Sequence, residues 1–340
     1  MAQRVVLHAG LMKSGTSYLQ DRLFLNRDRL AERGLLVPGP ARRDQALAVQ
    51  DVLGRHAAAS QVRGKWSELL REIQGHDGDA VISMEFLGPV APERIAGVVE
   101  ALGTPVHVVL TVRDLGRVVP AMWQERLKNG GTAGWREYVD GLAGGDKAAR
   151  GFWWQQGAAR IVRNWADAVG PERVTVVTLP LPGVGPGLLW SRFCAAAGVP
   201  GDGCEDVPPA NTSLDVASAV VLLAVNRTLA ERGGVASDFQ LMLKFRLAKQ
   251  AMGSRTGGRP IGFEPPPWLE ERADAIVAKI RARGVNVVGD LAELTPLVVP
   301  GDDPEDVDAE AALAAAVDAL VGITGDYFRR VSARGTHDQP

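Results

Sequence analysis

The sequence predicts an α/β protein of three layers, a central and mostly parallel sheet flanked by helices, with a helical elaboration attached. Three observations predict it. Short runs rich in Val, Ile and Leu recur at 4–9 (RVVLHA), 80–84 (AVISM), 106–112 (VHVVLTV) and 173–179 (RVTVVTL). None alternates apolar with polar residues, so these strands are covered on both faces, as parallel strands are. Segments of helical spacing separate them, the order that builds crossovers between parallel strands. The first run also leads directly into a loop of Gly, Ser and Thr that opens a helix.

The elements follow in order. Leu19, Leu23 and Leu30 lie at helical spacing in 17–33, and Gly34 stops that helix before a second short strand at 35–37. Helices are expected at 66–73 and 93–102, on either side of the strand 80–84. The stretch 118–168 is helical and holds Trp123, Trp135, Trp153, Trp154 and Trp165. After the strand 173–179 come a Pro/Gly loop, a helix ending near Gly198, a helix at 214–232, and a helix at 268–283 leading to an extended segment at 285–288. Asp302, Asp303, Glu305, Asp306, Asp308 and Glu310 make a solvated linker or helix start, followed by an Ala-rich helix to about Arg330. No linker divides the chain earlier, so one domain is expected over 1–300, with an acidic linker, final helix and tail at 301–340.

Composition narrows the function. The chain has 340 residues, 46 % hydrophobic and 23 % charged, which suits a folded protein with a substantial core. Lys+Arg total 38 against 40 Asp+Glu, so a basic coat for nucleic acid is not expected. Two cysteines, Cys194 and Cys204, and five scattered His argue against a disulfide framework and a built-in metal centre. The N terminus has no signal-like apolar region, and the longest apolar run, 216–225, is too short to span a bilayer. A soluble, cytoplasmic protein with no transmembrane segment is expected.

The chemistry is concentrated in Gly10-Leu11-Met12-Lys13-Ser14-Gly15-Thr16-Ser17. A loop joining a strand to a helix N-terminus presents unpaired backbone N–H groups and the positive end of the helix dipole, which together attract an anion. Gly15 lets the backbone come close, Thr16 and Ser17 add hydroxyls, and Lys13 adds a mobile charge. A plain strand–helix turn with a surface lysine is the alternative. The loop is not a Walker A sequence, because Lys13 precedes Gly15, and the strand 80–84 is followed by Glu85 rather than the aspartate of a Walker B strand.

The pattern H-x-G-x-x-K-[ST]-G-T-[ST]-x-L-Q, from His8 to Gln20, resembles the 5′-phosphosulfate loop of sulfotransferases that use 3′-phosphoadenosine 5′-phosphosulfate (PAPS). The resemblance implies a P-loop-like fold, PAPS as sulfuryl donor, no metal, and Lys13, Ser14, Gly15, Thr16 and Ser17 as the residues that hold the donor. That family also binds the 3′-phosphate with an Arg at a strand end and a Ser eight residues on. Arg113 matches the first, at a strand end that suits a bidentate phosphate contact. Ala121 stands where the serine is expected, so another group, such as Gln124 or Lys128, would have to replace it. Arg113 could instead form a structural pair with Asp114.

Sulfuryl transfer needs a base for the acceptor and positive charge on the leaving phosphate oxygen. Lys13 suits the second task. Glu85, just past the strand 80–84, lies at the same sheet edge if the strands are parallel, and the resemblance implies it as base. A carboxylate at a helix start or on the surface is its bland alternative. His8 is the competing base, though a residue within the first strand more readily serves as a buried hydrogen-bonding group. Trp153 and Trp154 suit either an acceptor pocket or the core. The acceptor would be a small molecule, glycan or glycolipid. Two other readings stay open, a metal-dependent P-loop kinase or NTPase and an inactive nucleotide-binding protein.

Overall fold

The computed structural model describes residues 2–55, 61–145, 147–185, 187–208, 213–234, 243–253, 255 and 257–335. The end of the expected tail, 336–340, lies outside them. Two compact units are interleaved along the chain: residues 1–115, 150–209 and 267–296 form the first, and 116–149, 210–266 and 297–340 the second.

The first unit is built on a six-stranded sheet of order β2-β3-β1-β4-β5-β6. Its strands are β1 (Val5–His8), β2 (Leu35–Leu36), β3 (Asp79–Ser83), β4 (Val106–Val112), β5 (Val174–Thr178) and β6 (Asn286–Val288), and every neighbouring pair is parallel. Parallel pairing puts all the strand carboxyl ends at one edge. His8 lies beside Ser83 on one side and Val109 on the other, so the loops after β1, β3 and β4 leave from adjacent positions.

The pleat sends alternate residues to opposite faces. Val5, Leu7, Ile82, Val108, Leu110 and Val176 face a core completed by Trp66, Leu69 and Ile73 of α4 (Lys65–Gln74), Ile95 and Val98 of α5 (Pro92–Leu102), and Ile161 and Trp165 of α9 (Ala158–Val169). Val6, Val81, Val109 and Val177 face the other core, with Leu19 and Leu23 of α1 (Thr16–Leu25), Leu30 of α2 (Arg27–Ala31), and Trp190 and Phe193 of α10 (Gly187–Ala197). This is the three-layer arrangement expected. The non-alternating strands needed two apolar layers, and burying each large side chain contributes about 1.5–3 kcal/mol.

Three details differ from the sequence reading. The expected helix 17–33 breaks at Asn26, whose side chain is drawn out to donate to Glu205 O and accept from Glu205 N. A helix that the sequence does not predict, α3 (Arg42–Val52), follows β2. The helical middle resolves into α6 (Leu115–Lys128), α7 (Trp135–Gly144), α8 (Lys147–Gln156) and α9.

In the second unit, Trp135 packs against Trp123 with the rings tilted at 59° and their centroids 5.2 Å apart, and meets Phe263 edge-on at 5.4 Å. Both tryptophans are therefore core. The helix α11 (Val216–Glu231) is tied to this cluster through Asn226, which donates to Leu127 O and Gly131 O. A π-helical segment, Leu243–Met252, packs against the last helix, α13 (Ala309–Gly335); α12 (Pro267–Arg283) belongs to the first unit.

Candidate functional site

The loop 10–17 rests on a buried hydrogen-bond chain rooted in three strands. His8, Ser83 and Thr111 sit side by side on β1, β3 and β4. His8 Nδ1 is 2.7 Å from Ser83 Oγ and His8 Nε2 is 3.2 Å from Thr111 Oγ1. Thr111 Oγ1 is in turn 2.7 Å from Ser14 Oγ, which donates to Leu11 O at 2.5 Å. In one proton order Ser83 donates to His8, His8 to Thr111 and Ser14 to Leu11, and the single Thr111 proton is shared between Ser14 Oγ and Gly10 O at 3.2 Å. It assigns His8 the neutral Nε2–H tautomer by network logic. Burial pushes the His8 pKa down to about 3, since the charged ring would lose its hydration. His8 is thus a neutral strut under the loop, with both ring nitrogens occupied, rather than a base poised at its surface.

Above that floor the backbone takes conformations that suit a cradle. Gly15, at φ 82°, caps α1 in the left-handed region, and Lys13 adopts φ 63°, unusual for a residue with a side chain. Lys13 O accepts from Arg113 Nη1 at 3.3 Å, and Met12 O accepts from Gln156 Nε2 at 3.0 Å. Lys13 and Arg113 are partly exposed, Ser14 and Thr16 are buried, and Ser17 is exposed on the first turn of α1. The Ser14 hydroxyl is spent inside the loop, so its backbone N–H is the group it has for a ligand.

Glu85 joins the same edge. It follows β3 as the first residue of a short 3₁₀ turn, Glu85–Leu87. A Cβ on Gly10, which has φ 91°, would lie 2.9 Å from Glu85 Cβ and 3.1 Å from its Cα, so glycine is what lets the loop press against the Glu85 backbone. Glu85 Oε2 accepts from Gln20 Nε2 at 2.9 Å, and the same Gln20 nitrogen donates to Ser83 O at 3.1 Å. Gln20 Oε1 accepts from Arg42 Nη2 at 2.5 Å, while Arg42 Nη1 pairs with Asp21 at the same distance. Glu85 is half-buried with one oxygen held from the side.

The structure therefore brings Lys13, Ser14, Gly15, Thr16, Ser17, Glu85 and Arg113 to one sheet edge. Arg113 also lines a largely apolar cavity with Leu11, Val112, Gln156, Ile276 and Leu294. Sequence reasoning missed Gln156 and Arg42. Neither lies near the motif in sequence, and an isolated Gln or Arg carries no local signal. Gln20 stood in the motif, but only the fold shows what it holds. Of the groups suggested to replace the missing serine at Ala121, Gln124 Oε1 accepts from Leu214 N at 2.8 Å, and Lys128 is buried beside a small pocket with Asn226 and Leu229. Trp153 and Trp154 each carry a guanidinium on one face, Arg272 at 4.3 Å and Arg160 at 4.2 Å.

Among the described residues, no group of three or more His, Cys, Asp and Glu is placed to hold a metal ion. Among the described residues one helix, Ala309–Phe328, is long and apolar enough to cross a membrane by length and composition; Asp318 and Asp326 interrupt it, so it holds no unbroken apolar run of that length.

No protein-family model matches the chain, and no curated protein matches it. Among solved structures, it is similar to a sulfotransferase from Alicyclobacillus acidocaldarius at 17 % identity and a TM-score of 0.41, covering 69 % of this chain and 98 % of that one.

Proposed function

We propose that this chain transfers a sulfuryl group from PAPS to a hydroxyl or amine of a small molecule, glycan or glycolipid. One observation carries the reading: the strand-edge loop with Lys13, the carboxylate of Glu85 and the guanidinium of Arg113 meet at adjacent carboxyl ends of a parallel sheet, where open α/β sheets bind ligands. The backbone amides of 13–17 and the start of α1 would hold the 5′-phosphosulfate. Lys13 would stabilise the charge that develops on the leaving phosphate oxygen as the S–O bond breaks. Arg113 would take the 3′-phosphate. Glu85, with Oε2 held by Gln20, would accept the acceptor proton on its other oxygen as that acceptor attacks sulfur in line.

The test is thermal unfolding with the desulfo product 3′-phosphoadenosine 5′-phosphate, with 5′-AMP, and with ATP with and without magnesium. A ligand that binds the folded state raises Tm. The expected result is selective stabilisation by the 3′-phosphorylated product, lost in Lys13→Ala and in Arg113→Ala. Stabilisation by ATP with magnesium alone would overturn the reading in favour of a kinase or NTPase.

A further inference from the structure

Helix α3 meets the end of β3 with two side chains from one face. Strand β2 pairs with β3 through Leu35 and Leu36, opposite Asp79 and Ala80, and ends there. Gln45 of α3, 1 % exposed, takes over. Its Oε1 accepts from Ser83 N at 2.8 Å, and its Nε2 donates to Pro38 O at 3.0 Å and reaches Val81 O at 3.4 Å. Ser83 N and Val81 O are groups that a longer β2 would have paired, and buried backbone groups need such partners. One side-chain amide therefore fastens α3 to the strand just ahead of Glu85.

Arg42 lies three residues earlier, on the same side of α3. Its Nη2 donates to Gln20 Oε1 and its Nη1 to Asp21 Oδ1, both at 2.5 Å, so one planar guanidinium spans two consecutive residues of α1. Gln20 is 2 % exposed, and its amide is fully used. The two N–H groups of Nε2 serve Ser83 O at 3.1 Å and Glu85 Oε2 at 2.9 Å, while the carbonyl oxygen serves Arg42. Two acceptors claim the nitrogen and a cation claims the oxygen, which selects one of the two amide orientations. The flipped amide would set Oε1 against a carboxylate and the NH₂ group against a guanidinium. We propose that Arg42 is a positioning residue: it holds the Gln20 amide in this orientation and thereby fixes which Glu85 oxygen is tied and which is left for the acceptor. This role rests on the sulfuryl-transfer reading, which makes Glu85 the base. The Arg42 and Asp21 side chains are 39 % and 37 % exposed. Ion pairs at that exposure contribute little to stability, so removal of Arg42 should leave a folded chain.

Two measurements on the full chain test it. In steady-state kinetics, Arg42→Ala should lower kcat about fivefold through misdirection of the carboxylate. It should leave the donor KM and the Tm shift given by 3′-phosphoadenosine 5′-phosphate unchanged. In a Gln20→Leu background the same substitution should cost no further activity, because its effect passes through Gln20. The second measurement needs no turnover. The side-chain amide of Gln20, identified in nitrogen–proton correlation spectra by its absence from Gln20→Leu, should exchange with solvent at least about tenfold faster in Arg42→Ala than in the wild type. Losses that add in the double variant, or a Gln20 amide whose exchange ignores Arg42→Ala, would overturn the proposal. A wild type that transfers no sulfuryl group, yet whose Gln20 amide responds to Arg42→Ala, would instead overturn the sulfuryl-transfer reading and uphold Arg42 as the residue that orients Gln20.

Discussion

Two hydrogen-bond chains leave the same sheet edge and do opposite work. The floor of the loop, Ser83–His8–Thr111–Ser14–Leu11, is buried and made of neutral groups that hydrogen-bond one another. The wall, Arg42–Gln20–Glu85, is half open and ends in a charge. Both depend on Ser83, through its hydroxyl in the floor and its carbonyl in the wall. A floor made of neutral groups costs little to bury once paired and cannot change charge near neutral pH. A wall at the rim leaves one side of its carboxylate open while a neighbouring amide fixes its direction. The difference teaches that proximity to the loop does not assign a chemical role. His8 lies deeper and closer to the strands, yet Glu85 has the exposure and the spare oxygen that proton transfer needs.

One expected effect separates binding from stability. Lys13→Ala should lower sulfuryl transfer about 10²–10³-fold, the usual result of removing one charge-stabilising donor, with stability little changed because Lys13 is partly exposed. Steady-state rates beside denaturant midpoints would read both. Loss of folding in place of activity would show that Lys13 belongs to the floor.

Next comes the wall. Glu85→Gln should cut kcat about 10²–10⁴-fold, the range for a lost general base, and keep the Tm shift given by 3′-phosphoadenosine 5′-phosphate. A variant that retains kcat would end the base assignment. Gln20→Leu should act more mildly, about tenfold in kcat from misdirection of the carboxylate, with nucleotide binding intact and the acidic limb of the pH–rate profile displaced. An unchanged profile would mean that Gln20 only fills space.

The floor makes the opposite prediction. His8→Ala should cost about 3 kcal/mol of stability, from a cavity plus the orphaned Ser83 and Thr111 hydroxyls. It also predicts a pH signature. The unfolded chain protonates this imidazole near pH 6.5, and the folded chain resists until about 3. Its contribution is complete above pH 6.5 and drains as pH falls towards the folded pKa, at about 1.4 kcal/mol per pH unit. Denaturant midpoints measured across that window should fall more steeply for the wild type than for His8→Gln. Equal slopes would show that the ring is not buried neutral.

The smallest effect tests where floor and wall meet. Gly10→Ala should destabilise by about 1–2 kcal/mol, since φ 91° and the Glu85 backbone both exclude a Cβ, and should lower activity through displacement of Glu85. A neutral outcome would show that the loop does not depend on this contact.

Local signals in the sequence were enough for the strands and the loop. Apolar runs without alternation demanded a sheet covered on both faces, and the Lys13–Ser17 pattern stood on a strand–helix turn where an anion site forms for backbone reasons. Both depend on residues within a few positions of one another. Tertiary structure alone decided the rest, because those choices are long-range. Gln20 reaches Glu85 across 65 positions, Gln156 reaches Met12 across 144, and the break at Asn26 answers a carbonyl and an amide 179 residues away. The last helix shows the same division. Its Ala-rich run was legible in the sequence, but which stripe faced inward was decided only when Ala315, Ala319 and Gly322 packed into the unit, because small side chains alone let two backbones come that close.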